Sequence, residues 1–294
     1  MIPAANPGRG LVAAASCLAL TACGISSAVP PRDIGQNPTI VSLNPCSDAI
    51  LAEVADRDQI LAISHYSKDP RSSSMEEGKA RSFPATRGTV EEVVALQPDV
   101  VIGNSFADPV TQKAYARLGL RLERFGVAHD LDENYAQIRR LAGIAGHKAR
   151  GEALIARIEA ELAHAAPPAD APGLSAVLWQ SGGIVPGRDT LILELMQRTG
   201  FASLSVERGY GQADRVSLEV MLSDPPHVLV TAAGGRDTGD GGNRALRHPV
   251  LDRLTGTARY SLDPRLLYCG GPTIIAASRR LAQIRAAVNG KGGA

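Results

Sequence analysis

The side chains able to do chemistry fall into three sets. The first is a pair of cysteines, Cys46 and Cys269, each beside a turn-forming run, Asn44-Pro45 and Gly270-Gly271-Pro272. Three readings of the pair stand open: a disulfide, which we favour, two soft ligands for a metal-bearing solute, and two unrelated buried thiols. The second set is Ser105 and Ser181, the nucleophiles a secreted α/β hydrolase would need. Neither sits in the G-x-S-x-G turn that exposes such a serine; the runs read Gly103-Asn104-Ser105-Phe106-Ala107 and Gln180-Ser181-Gly182-Gly183. The third set is histidine: His65 and His129 in the first half, His227 and His248 in the second, the candidates for a zinc or manganese site. His65, at a strand end, is the best of these, and His227, between Pro226 and an apolar run, reads as structural. No H-E-x-x-H, phosphate-binding loop or dinucleotide fingerprint is present. These residue types argue for a binding protein rather than an enzyme, and no resident cofactor is expected.

The elements that must position these groups are organised around one helix. From His147 to Ala166, Leu154, Ile155, Ile158 and Leu162 recur at helical spacing, with Gly146 before and Pro167-Pro168 after. A helix of that length spans roughly 30 Å, the width of a small domain. On either side lie α/β-patterned halves, 38–146 and 174–290, with 147–173 as connecting helix and linker. In the first half, Pro38–Leu43, Ile60–Ile63, Val100–Ile102 and Arg121–Phe125 read as strands. Ser47 is expected to cap a helix over Asp48–Ala55, and Lys68–Phe83 reads as a loop. The second half restarts with the strand Ser175–Trp179.

One unit occurs twice. Thr89-Val90-Glu91 aligns with Ser217-Leu218-Glu219, Pro98 with Pro226, and Val100-Val101-Ile102 with Val228-Leu229-Val230. Each copy has a hydroxyl cap, a Glu in the first helical turn, a proline stop and a buried strand. Thr89 and Glu92 also fit a capping box. The repeat predicts two pseudo-symmetric lobes, each a parallel sheet with helices. Ala232–Arg244, rich in Gly and Asp, lacks calcium-loop spacing and reads as a loop.

The chain has 294 residues, a net charge of +1 and 44% hydrophobic residues, which speaks against a nucleic-acid footprint. Residues 1–23 form a short apolar leader, Leu11–Leu20, ending in Leu20-Thr21-Ala22-Cys23. That ending resembles a lipobox, so Cys23 is expected to carry lipid after export, with 24–37 as a flexible tether. The membrane is then reached through the lipid anchor alone, in the periplasm or cell envelope, where a disulfide persists.

Ile40-Val-Ser-Leu-Asn-Pro45 with Asp48, Val90-Glu-Glu-Val-Val-Ala-Leu-Gln-Pro-Asp-Val-Val101, and Gly270-Gly-Pro272 before an apolar helix resemble the substrate-binding proteins for cobalamin and ferric siderophores. Those are the periplasmic components of ABC importers. The resemblance covers roughly Pro38 to Val288. It implies a monomer of two α/β lobes joined by one long helix, a metal chelate held between them, and an importer permease as partner. It also implies that one Glu per lobe, here Glu91 and Glu219, docks on the permease. A ligand at the C-terminal ends of the strands selects Cys46, Ser47, Tyr66, Arg87, Ser105, Phe106, Trp179, Ser181, Tyr210, Tyr268 and Cys269. In this setting the disulfide reading places Cys46–Cys269 across the cleft. Cobalamin or another corrinoid is the first-choice ligand, on the aromatic faces of Tyr66, Phe106, Trp179, Tyr210 and Tyr268. A ferric siderophore, met by Arg87, Tyr210 and Tyr268, is the second.

Overall fold

Short β-branched runs, each followed by a capped helix, build two parallel sheets. The computed structural model describes residues 37–232 and 244–291. The expected leader, Cys23, the tether up to residue 36 and most of the Gly/Asp-rich loop lie outside the described residues.

The first lobe runs β1 (Ile40–Ser42), α1 (Pro45–Val54), β2 (Ile60–Ser64), α2 (Glu77–Arg81), β3 (Ala85–Thr86), α3 (Val90–Leu96), β4 (Val100–Asn104), α4 (Pro109–Arg117), β5 (Arg121–Phe125) and α5 (Leu131–Ile144). The 18-residue α6 (Lys148–Ala165) then leads to the second lobe. That lobe runs β6 (Leu174–Gln180), α7 (Leu191–Arg198), β7 (Phe201–Ser203), α8 (Leu204–Glu207), α9 (Leu218–Ser223), β8 (Val228–Ala232), β9 (Ala258–Ser261) and α10 (Thr273–Lys291). The strand orders are β3-β2-β1-β4-β5 and β7-β6-β8-β9, and the neighbouring strands pair in parallel. Matching the orders pairs β2 with β7, β1 with β6, β4 with β8 and β5 with β9. The twofold repeat seen in the sequence is therefore a repeat of topology, and β3 is the strand without a counterpart among the described residues.

Strand alternation decides which core each residue joins. Ile40, Val100 and Ile102 of the first sheet and Ala176, Leu178, Val228 and Val230 of the second belong to one continuous core. The intervening residues, Val41 and Val101 on one sheet and Val177, Trp179 and Leu229 on the other, face two separate outer clusters. The inner core runs through Ile50 and Leu51 of α1, Ile138 and Leu141 of α5, and Leu154, Ile155, Ile158 and Leu162 of α6. It continues into Leu193 and Met196 of α7 and Ile274, Leu281 and Ile284 of α10. The connecting helix is thus packed from both lobes along its apolar stripe. Gly151 on α6 makes this possible against α5, since a Cβ there would stand 2.6 Å from that of Ala142.

Three local expectations need correction. Asn44, not Ser47, caps α1: its side chain accepts from the Cys46 and Ser47 amides, and Pro45 takes the first helical position, where its missing N–H costs nothing. Ser47 lies inside the helix and is buried. The run Lys68–Phe83 is not all loop, because the Glu76 carboxylate accepts from Gly78 and Lys79 and nucleates α2. The two repeated caps form as expected, Thr89 accepting from the Glu92 amide and Ser217 from the Val220 amide. The Glu92 carboxylate, however, accepts from Thr86 Oγ1 and the Arg87 amide rather than closing a box on Thr89.

Candidate functional site

In a parallel sheet the loops after the strands collect at one edge, and here both such edges face each other. Between them lies a cleft of about 450 Å³. The first lobe contributes Asn44 and Cys46 after β1, Asn104 at the end of β4 and Phe106 after it, and Gly126 to His129 after β5, with Asn134 and Gln137 from α5. The second lobe contributes Gln180 at the end of β6 and Ile184 to Pro186 after it, the start of α7, Gln212 and Ala213, and Leu266 to Gly270 before α10. The described lining is apolar side chains interspersed with the amides of Asn44, Asn104, Asn134, Gln137, Gln180 and Gln212, with His129, Thr190 and Tyr268 as the other polar side chains. It offers directed hydrogen bonds, and among the described lining residues there is no Asp, Glu, Lys or Arg. Phe106, 81% exposed, and Tyr268, 40% exposed, stand at the cleft from opposite lobes. Burial raises the Tyr268 phenol above its ordinary pKa, with the Asp263 and Asp69 carboxylates adding to the rise.

Of the residues selected from the sequence, Cys46, Phe106, Tyr268 and Cys269 line this cleft. The two cysteines are joined as a disulfide, Cα to Cα 5.1 Å, which links the lobes. Tyr66 is exposed and tilted against His65, ring centroids 4.0 Å apart, and Arg87 and Ser105 are exposed on first-lobe loops outside the lining. Ser181 and Tyr210 are half-buried, and Tyr210 packs on the second-lobe outer cluster. Trp179 is fully buried and does not reach the cleft. The reason is the strand period: Trp179 shares the outward face of β6 with Val177, and its indole N–H donates to Val216 O at 3.1 Å. The sequence reading missed the amide set. Asn and Gln in loops carry no spacing signature, so only their position after strands could have pointed to them.

The two lobes are also stitched to each other around the cleft. Besides the disulfide, the Gly271 amide donates to Asn134 Oδ1 at 3.2 Å and the Leu131 amide to Glu194 Oε2 at 2.8 Å. Ser74 Oγ donates to Arg265 O, and Arg265 Nη2 to Met75 O. Gly270 and Gly271 allow the close approach. A Cβ on Gly270 would meet Asn134 Nδ2 at 2.0 Å, and one on Gly271, at φ +61°, would meet Ile50 Cγ1 at 2.6 Å.

Asp48, two residues after Cys46 in α1, is wholly buried. One carboxyl oxygen accepts from the Ser64 amide at 2.9 Å and Ser67 Oγ at 2.6 Å. The other faces the Ser42 hydroxyl without a hydrogen bond of standard geometry. Burial pushes the carboxyl up to about 7, against the lowering effect of these hydroxyl and amide donors. The four histidines do not converge, and among the described residues no three His, Cys, Asp or Glu side chains could hold a metal ion together.

The cleft thus lies between two parallel-sheet lobes that share one core. The model of the periplasmic binding proteins matches residues 40–259. The chain belongs to that family. Among curated relatives, a cobalamin-binding protein of Halobacterium salinarum is 27% identical over 199 residues, 65% of this chain and 53% of that protein. The chain thus matches about half the length of that relative. Among solved structures, the periplasmic heme-binding protein RhuT from Roseiflexus sp. RS-1 in apo form is 22% identical with a TM-score of 0.65, covering 86% of this chain and 99% of that one. The periplasmic vitamin B12 binding protein BtuF of Vibrio cholerae is 18% identical with a TM-score of 0.62, covering 85% and 97%. At these identities the two structures establish a shared fold for this periplasmic binding protein.

Proposed function

We propose that this periplasmic binding protein is the substrate-binding component of an ABC importer, capturing a metal chelate in the interlobe cleft and delivering it to a membrane permease. The observation that carries the reading is the cleft itself, at the strand C-termini of two lobes whose topology repeats. The equivalent first-turn Glu91 and Glu219 are both exposed, one on each lobe. Charges so placed set encounter rate and orientation on a basic partner. The Ser217 hydroxyl beside Glu219 holds that carboxyl below its ordinary pKa, so it stays charged.

A corrinoid is the preferred ligand and a ferric siderophore the second. Phe106 and Tyr268 offer flat faces from opposite lobes, and the amide-rich lining suits a neutral periphery that itself carries amides. The cobalamin-binding relative agrees with this preference. The protein works in the periplasm, held to the membrane by lipid on Cys23. The test is titration of the form lacking residues 1–23 with cyanocobalamin, dicyanocobinamide, hemin and ferric siderophores by calorimetry. Saturable one-to-one binding at micromolar or tighter of a chelate supports the reading. Heat from zinc or manganese alone, with none from any chelate, replaces it with a metal-ion carrier.

A further inference from the structure

The cross-lobe contacts are unevenly distributed around the cleft. On one side, the segment Arg265–Gly271 of the second lobe is fastened to the first lobe at Met75, Ser74, Asn134 and Cys46. Elsewhere the described cross-lobe side-chain hydrogen bond is that of the Leu131 amide to Glu194 Oε2, while the lining residues Asn104, Phe106 and Val127 of the first lobe make none with Gln180, Gln212 and Ala213 of the second. Only one link in the fastened seam is covalent, the Cys46–Cys269 disulfide. Both cysteines are half-buried and line the cleft, and a disulfide at a cavity wall is reduced by attack of a thiolate on one of its sulfurs. The bond also joins the starts of two helices that carry cleft residues, α1 and the approach to α10.

We propose that this disulfide is a redox-sensitive latch that fixes the width of the cleft. With the bond intact, the lobes move only as a small opening about the seam, and the binding surface is pre-organised. Reduction by a dithiol breaks the S–S bond. Two electrons and two protons pass to Cys46 and Cys269 as thiols, and the dithiol leaves as its own disulfide. The shared core beneath still holds the lobes together, the segment above it is left to the hydrogen bonds of Ser74, Arg265 and Asn134, Tyr268 and Gly270 gain freedom, and ligand affinity falls. Linkage requires the reciprocal effect: a bound chelate resists reduction by the factor that reduction weakens the chelate. The part concerning ligand rests on the function proposed above; the part concerning the seam does not.

The experiment compares the oxidised protein, the same protein reduced with dithiothreitol, and the Cys46→Ser/Cys269→Ser double variant. Amide hydrogen exchange is read without ligand. The expected result is exchange about tenfold faster in the seam amides, Gly271 above all, in both bond-free forms, with the β1 and β4 amides unchanged. Binding of cyanocobalamin and hemin is measured in parallel, and Kd for whichever binds rises about tenfold in the bond-free forms. Equal seam exchange in all three forms overturns the latch whatever binds. Faster seam exchange with unchanged Kd overturns its link to affinity. Faster seam exchange with no binding of any chelate leaves the latch standing and removes the proposed function instead.

Discussion

Asp48 makes the stability of this protein depend on pH in the sense opposite to most carboxylates. Its pKa is 3.8 in an unfolded chain and about 7 in the fold. Well below pH 3.8 the group is protonated in both states and its full contribution is present. As pH rises through 3.8 the unfolded chain loses the proton while the folded one keeps it, so stability falls. The fall ends once the folded carboxyl ionises near 7. The separation of roughly three pH units corresponds to about 4 kcal/mol. Asp48→Asn removes the titration and keeps the geometry: the amide oxygen still accepts from Ser64 N and Ser67 Oγ, and the amide nitrogen faces Ser42. The difference in unfolding free energy, variant minus wild type, should therefore grow by about 4 kcal/mol between pH 4 and 8, or about 10 °C in Tm for a chain of this size. Subtraction cancels carboxylates that act the other way, such as Glu53, where burial opposes ionisation but Lys79 and Arg157 outweigh it. Urea unfolding of both proteins at half-unit pH steps, followed by far-UV circular dichroism, measures the difference. Profiles that stay parallel within about 1 kcal/mol across that range would refute the reasoning and mean that Asp48 is ionised in the fold.

Three further outcomes follow from the placement of single residues. Charge reversal at Glu91 and Glu219 together should leave chelate titrations unchanged and abolish uptake in permease-containing vesicles; weaker chelate binding by a folded variant would put these carboxylates in the cleft. Trp179→Phe should cost ~2 kcal/mol in urea unfolding, because Val216 O loses its donor in a buried site, while chelate affinity stays as it was. Cys23→Ser should move the protein from the membrane fraction to the soluble one, and continued labelling by a fatty-acid probe would end the lipobox reading.

The repeat was legible because it is written in local chemistry. A hydroxyl cap, a first-turn Glu and a proline stop occur twice, and the structure places the copies before topologically equivalent strands, β4 and β8. The α6 strut was legible for the same reason, its stripe being long and bounded. The site was less so. Strand ends can be found from a sequence, but which face a strand-end residue takes depends on register. Trp179 and Gln180 are neighbours on β6, and one faces the outer cluster while the other lines the cleft. The Asn44 cap was obscured because Asn44-Pro45 reads equally as a break and as a helix start. The Cys46–Cys269 link depends on a tertiary approach across 223 residues, which no local pattern encodes.

The two lobes are separate sheets but not separate folding units. Ile50, Leu154, Ile158, Leu193 and Ile274, drawn from both lobes and α6, belong to one core. Burying a side chain of this kind contributes about 2 kcal/mol. Unfolding the second lobe alone would strip partners from several such residues at once, a deficit on the order of 10 kcal/mol, comparable with the stability of a whole domain. A half-unfolded species is therefore too costly to accumulate. Trp179, the one tryptophan, is buried in the second lobe and reports on it alone, whereas far-UV circular dichroism reports on both. In urea the two signals should change together, with one midpoint and one slope. The comparison belongs in the Cys46→Ser/Cys269→Ser variant as well, so that coincidence there reflects the shared core and not the covalent link. An earlier tryptophan transition followed by a helical plateau would show that the lobes come apart independently and that α6 is a tether rather than part of a common core.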